Sequence, residues 1–260
     1  MKLMLRSVLG VIATWLSLLG LVVFVLGLGL ERGWFEITRA QLIERYQSPD
    51  SQFVNVDGVD VHFTDQGAGP AVVILHASFL NLNSWDAVTE ILKKKHRVIR
   101  LDLSGAGLTG KDPSGAYGVD RNIDLVRGIL GHLKLTQASV IGTSSGGISA
   151  FRLAARHPQI VNRLILINSA GMPRTAATNP LRQAASPVQR WIQTRLRSRG
   201  FWADSLGANF VAPHTPSPEF VQMTYDMNRR AGGREISRLY LANFSTGDPE
   251  SMLAKVEAPT

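Results

Sequence analysis

The 260-residue sequence has no cysteine, which removes disulfide frameworks, thiolate-bound zinc and thiol nucleophiles and leaves the redox compartment unread. Charge is sparse, 18% of residues against about 25% in an average globular protein. With 45% hydrophobic residues the chain can bury a core, so disorder is excluded. The charge that is present is mostly basic, 28 Lys and Arg against 20 Asp and Glu, for a net +8 and a pI near 10.2. Such a balance suits nucleic acid only where basic residues and aromatics share a binding motif. The nearest grouping, Arg190, Arg195, Arg197 and Arg199 with Trp191 and Trp202, lies outside any such pattern, and an anionic lipid surface fits it better. No His, Asp and Glu set has metal-ligand spacing. No metal, cofactor or nucleic-acid partner is expected.

The sequence does have one long hydrophobic run. Val8 to Leu30 carries no charge and follows Lys2 and Arg6, and as a helix it is long enough to cross a bilayer core. A cleaved signal peptide has a shorter apolar region and a small-residue cleavage site, which Gly27-Leu28-Gly29-Leu30-Glu31 does not supply. The basic N-terminus favours an end left in the cytoplasm, although Arg32, Arg39 and Arg45 follow the run closely. The expectation is a single-pass protein of a bacterial inner membrane, its globular part outside the cytoplasm and the lipid bilayer its partner.

After a polar, helix-capable connector the pattern becomes β-rich. Gln52–Val56 and Val59–Thr64 flank Asp57-Gly58, the signal of a tight hairpin. Continuous apolar runs follow at Ala71–Leu75, Val98–Leu103, Ala138–Ile141 and Leu164–Ile167, as in a sheet covered on both faces. Helical stripes alternate with them: Trp85, Val88, Ile91 and Leu92 behind a Ser84 cap, then Ile123, Val126, Ile129, Leu130 and Leu133, then Ile148, Phe151, Leu153 and Ala154. A hairpin followed by alternating strands and helices predicts an α/β doubly wound, mostly parallel sheet. Beyond Gly171 the chain is proline-rich without a clear strand, and Ser186-Pro187 followed by Val188, Trp191, Ile192 and Leu196 predicts a capped helix closed by Gly200.

The sharpest chemical signal is Val140-Ile141-Gly142-Thr143-Ser144-Ser145-Gly146-Gly147, a strand passing through Gly-x-Ser-x-Gly into a helix. On such an elbow Ser144 is the candidate nucleophile, with Gly142, Gly146 and Gly147 allowing close backbone approach. Its oxyanion needs donors: the Ser145 N–H at the helix start, and the Ser78 N–H in the loop His76-Ala77-Ser78-Phe79 after the third strand.

With these residues the chain resembles the α/β-hydrolase fold family of esterases, lipases and C–C hydrolases. His76-Ala77 resembles its His-Gly, with Ala in place of Gly, and Asp102-Leu103-Ser104-Gly105-Ala106-Gly107 its Asp-x-x-Gly-x-Gly loop. Ala154-Ala155-Arg156-His157-Pro158 and Leu166-Ile167-Asn168-Ser169-Ala170 extend the match. The N-terminal run resembles that of membrane-anchored monoacylglycerol-lipase-like members. The resemblance implies an anchor at 1–30, a connector at 31–50, a hydrolase core at 51–171, a helical cap at 172–250 and the start of the C-terminal core at 251–260. It implies a membrane-anchored serine hydrolase of carboxylic esters, acyl glycerols among them, acting through an acyl-enzyme on Ser144. The family's acid and His follow the cap, and Leu253–Thr260 resembles the lead-in to a seventh strand, so both are expected past Thr260 and the last strands are expected to be missing. Of the six histidines, His76 reads as structural and His62, His96, His132 and His157 as sheet or helix residues; His214 alone has no assigned place. Two other readings are an inactive binding module and a C–C bond hydrolase on the same scaffold.

Overall fold

The computed structural model describes residues 2–172 and 197–260. The chain forms two compact units, Met1–Glu36 and Ile37–Thr260. In the first, α1 runs through Lys2–Glu31. Its Gly10–Gly29 stretch has mean hydropathy 2.5 and its large apolar side chains are exposed, and at about 1.5 Å per residue those 20 residues match the roughly 30 Å core of a bilayer. The hydroxyls of Thr14 and Ser17 donate to the carbonyls of Gly10 and Ala13, at 3.0 and 2.9 Å, so the polar side chains of the run are satisfied within the helix.

The second unit is built on a six-stranded sheet: β1 Gln52–Val56, β2 Val59–Gln66, β3 Ala71–Leu75, β4 Arg97–Leu101, β5 Ala138–Thr143 and β6 Val161–Ile167. Their order is β1-β2-β4-β3-β5-β6. The hairpin closes at Val56 and Val59, through Asp57 and Gly58 at φ 49° and 85°, as the two-residue turn requires. β2 pairs antiparallel with β4, and the β3–β4, β3–β5 and β5–β6 pairs are parallel. One face is covered by α4 (Val119–His132) and α5 (Ser145–Arg156). Ile123, Val126, Ile129, Phe151 and Leu153 are buried there against Val73, Ile99 and Val140, each worth about 1.5–3 kcal/mol of transfer free energy. On the other face Val72, Ile74, Val98 and Ile141 pack under Trp85.

The segment beneath Trp85 departs from the expected stripe. A 3₁₀ turn, Leu82–Trp85, begins at Asn81, whose Oδ1 accepts the Asn83 N–H, and α3 starts only at Asp86 and ends at Leu92. Ser84 caps nothing; its hydroxyl donates back to the Asn81 carbonyl. The buried face runs through Trp85 and Thr89, leaving Val88 and Ile91 37% and 68% exposed.

After β6 come α6 (Arg199–Gly207), α7 (Pro218–Met227), α8 (Gly233–Asn243) and α9 (Pro249–Leu253). The helix expected from Ser186-Pro187 lies outside the described residues. Gly200 does not close a helix; it is the second residue of α6, which Ser198 caps by accepting the Phe201 N–H. In the connector, α2 (Arg39–Tyr46) belongs to the second unit. Leu42 is fully buried with Leu108 and Met227, and Ile37 bonds to Arg229 and Ala231 through its backbone. β6 is the outer strand, with Ile165 and Ile167 43% and 46% exposed, and the Leu164 N–H on its open edge donates to the Pro259 carbonyl at 3.0 Å.

Candidate active site

The loops after β3, β4, β5 and β6 meet at the carboxyl ends of the parallel strands, where open α/β sheets place their ligand sites. Ser144 sits between β5 and α5 at φ 50°, ψ −121°, a conformation costing a non-glycine residue about 1–3 kcal/mol. Its neighbours hold it there. The Ser144 carbonyl accepts from the N–H groups of Gly147 and Ala170, at 3.0 and 2.9 Å, and its own N–H reaches the Ile167 carbonyl at 3.4 Å. Gly146 abuts backbone: a Cβ there would stand 2.5 Å from the carbonyl oxygens of Leu75 and His76, atoms that cannot step aside. Gly142 faces the backbone of Gly146, and Gly147 faces Ser169.

The two candidate donors come together. The Ser78 hydroxyl donates to the Ser145 hydroxyl at 2.8 Å, which ties the β3 loop to the first residue of α5. Among the described residues neither the Ser78 nor the Ser145 backbone N–H has a protein acceptor. An N–H group left open at a helix N-terminus, where the dipole favours negative charge, is the kind of donor that stabilises an oxyanion.

His76 and Ala77 shape the loop. The Leu103 N–H donates to His76 Nε2 at 3.0 Å, so the proton lies on Nδ1, which donates to the Ala77 carbonyl at 2.8 Å. Burial pushes the ring pKa down, outweighing the opposing pull of Asp102 and the Ala77 bond. His76 is therefore neutral with both nitrogens engaged, and has no lone pair to offer Ser144. His62 is engaged too. Its Nδ1 is 2.7 Å from Asp102 Oδ2 and its Nε2 2.8 Å from the Ser51 hydroxyl. Asp102 also accepts the N–H groups of Leu82 and Leu108. Burial works to raise its pKa, but the His62 bond and the nearby charges prevail and hold the carboxyl below the usual range. Gly107, at φ 48°, lies where a Cβ would collide with that carboxylate, which is why glycine stands at the end of this loop.

The remaining histidines lie elsewhere: His132 at the end of α4 against Phe63, His157 at the end of α5, His96 just before β4 and His214 exposed in the loop before α7. No described side chain hydrogen-bonds to the Ser144 hydroxyl. Two residues the sequence reading did not single out also belong here. Ser169 packs on Gly147, and Phe79, the residue after Ser78, has φ 67°. Both lie in segments already noted, Phe79 in the loop after β3 and Ser169 in Leu166–Ala170, but nothing in their residue type marks them as part of the site.

A family model for the alpha/beta hydrolase fold matches residues 70–252, and the chain belongs to that family. It is 36% identical over 118 residues to 2-hydroxymuconate semialdehyde hydrolase of Pseudomonas sp. strain CF600, covering 44% of this chain and 42% of that protein. It is 30% identical over 146 residues to 3-oxoadipate enol-lactonase 2 of Acinetobacter baylyi, 54% of each. The chain thus spans about half the length of the curated relatives it matches. Among solved structures, a bacterial membrane phospholipase A superposes with TM-score 0.66 at 25% identity, over 100% of this chain and 81% of that one. A serine hydrolase of carbazole degradation superposes with TM-score 0.65 at 22% identity, over 81% and 77%; at that identity the likeness is one of fold.

Proposed function

We propose that the protein is a membrane-anchored serine hydrolase of carboxylic esters, acyl glycerols among them, in which Ser144 carries the acyl group. The observation behind this reading is the strained Ser144 elbow at φ 50°, packed by Gly146 against the β3 loop, with the N–H groups of Ser145 and Ser78 left without protein acceptors among the described residues. The Ser144 Oγ attacks the ester carbonyl, the Ser145 and Ser78 N–H groups take up the oxyanion, the alcohol leaves with a proton, and water then releases the acid. The proton is carried by a general base other than His62 and His76, which are committed to other bonds. α1 anchors the chain in a bacterial inner membrane with the hydrolase part outside the cytoplasm, and the helices after β6 cap the site. The ester is drawn from small molecules or from the bilayer. The likeness to a membrane phospholipase A along the whole of this chain supports the lipid ester.

In the whole protein, Ser144→Ala is expected to lower turnover of a short-chain p-nitrophenyl ester at least about a thousandfold and to abolish labelling by a fluorophosphonate. Unchanged turnover would sink the assignment. A second reading, C–C bond hydrolysis through the same serine, is favoured by the 36% identity to 2-hydroxymuconate semialdehyde hydrolase. Turnover of that semialdehyde in place of esters would select it.

A further inference from the structure

Phe79 has the least expected backbone in the site. Its φ of 67° lies in the left-handed region, which a bulky side chain occupies only when its surroundings impose it. Phe79 is the third residue of a turn closed by the Leu80 N–H on the Ala77 carbonyl at 3.2 Å, the position where a turn takes positive φ, and beyond the turn it meets the helices after β6. Asn228, which ends α7, donates Nδ2–H to the Phe79 carbonyl at 2.9 Å and to the Thr224 carbonyl at 2.8 Å. The half-exposed Phe79 ring lies 5.9 Å from that of buried Trp202 in α6. The Arg197 guanidinium stands 4.9 Å from the Phe79 ring centre and within 6 Å of the rings of Phe201 and Trp202, in cation–π range. Leu80, the next residue, packs with Trp202, Leu206 and Val221.

Both ends of the loop are pinned elsewhere, Leu75 in β3 and Leu82 by its N–H on Asp102. Peptide planes are rigid and only φ and ψ turn, so a change of φ at Phe79 is shared among the planes between those ends; the plane that carries the Ser78 N–H is one of them, held at its Ala77 carbonyl by His76 Nδ1 and by the Leu80 N–H of the turn that contains Phe79. We propose that Phe79 is a positioning residue, and that Phe79, Asn228, Trp202 and Arg197 form a latch through which the cap sets the direction of the Ser78 oxyanion donor. This rests on the reading of Ser78 as a donor. The cap then selects substrates through the rate of the chemical step: an acyl chain that displaces the aromatic cluster turns the donor away, and one that leaves it seated is hydrolysed.

Hydrogen exchange read by mass spectrometry on the purified full chain tests the latch without requiring turnover. Asn228→Ala removes the donor to Phe79 and Phe79→Leu removes the ring. In both, the peptide covering residues 75–82 should exchange about fivefold faster, the effect of losing one ordinary hydrogen bond from the closed state, with the central strands unchanged. Phe79→Tyr keeps the ring and should match the wild type. Unchanged exchange in both variants overturns the latch. In the whole protein the same two variants should lower kcat for a short-chain ester about 10- to 100-fold with KM nearly constant, a part of what losing one oxyanion donor costs, and Phe79→Tyr should restore it. A change in KM alone would make the cluster mere cap packing and overturn the positioning role. Ser144→Ala is assayed alongside. If it retains turnover, or the wild type has none, the serine-esterase reading fails and exchange alone decides the latch. If it abolishes turnover while the latch variants keep kcat, the latch fails alone.

Discussion

His76 shows how a residue beside a candidate nucleophile can be kept out of its chemistry. A free imidazole next to Ser144 would be a natural base, but the Leu103 N–H on Nε2 and the Ala77 carbonyl on Nδ1 leave it only a loop-building role. Burial makes that role sensitive to pH. The unfolded ring binds a proton below about pH 6.5, whereas the folded ring, its pKa lowered, resists it. Stability from this residue is therefore complete above about pH 6.5 and is lost as the pH falls from there towards the folded-state value, with a slope of at most about 1.4 kcal/mol per pH unit. Denaturant midpoints measured between pH 7.5 and 5 should fall more steeply for the wild type than for His76→Gln. Parallel curves would remove His76 as the cause. Ser144, its glycines and the structural standing of His76 were legible from spacing along the chain. The His62–Asp102 pair was not, because its members are forty residues apart in sequence and only strand pairing brings them together.

At the scale of elements, runs with a full hydrophobic period were readable: the hairpin, the four parallel strands, α4 and α5. Short ones were not. The stretch around Trp85 is split by a 3₁₀ turn, and with so few residues per turn one side chain decides which face is buried; Trp85 takes that place and Ile91 is turned to solvent. α2 illustrates a different limit. Its eight residues are polar enough to read as a connector, yet they dock through Leu42 and through Tyr46, whose hydroxyl donates to buried Asp226 of α7 at 2.7 Å. Burial first, and then the Asp226 bond, push the Tyr46 pKa up to about 12. Tyr46→Phe should lower unfolding free energy by about 1–2 kcal/mol, since a charged acceptor loses one donor while Arg45 and Gln222 remain beside it. Equal unfolding free energies for the two proteins would show that the Tyr46–Asp226 bond does not hold α2.

At the scale of the molecule, the chain divides at Glu36 and Ile37 into a unit built on a long apolar helix and the hydrolase unit. Among the described residues the apolar clusters of the hydrolase part are made from residues of the second unit, whereas α1 exposes Trp15, Leu19, Val22 and Phe24 along its length. The full chain should therefore sediment with phospholipid vesicles. A chain beginning at Ile37 should stay in the supernatant and unfold at the same midpoint as the full chain in detergent. Sedimentation of both alike would deny α1 its anchoring role.

What the sequence determined by itself are the features written in local order: an apolar run long enough for a bilayer, the alternation of strand and helix, and a serine framed by glycines. Each depends on residues a few positions apart, whose period or spacing is set by backbone geometry. The tertiary structure decided which groups are free to react. Whether a histidine keeps a lone pair, what the Phe79 ring and carbonyl meet, and which N–H groups near Ser144 stay open all depend on contacts between segments far apart in the chain. Only packing brings those segments within hydrogen-bond range.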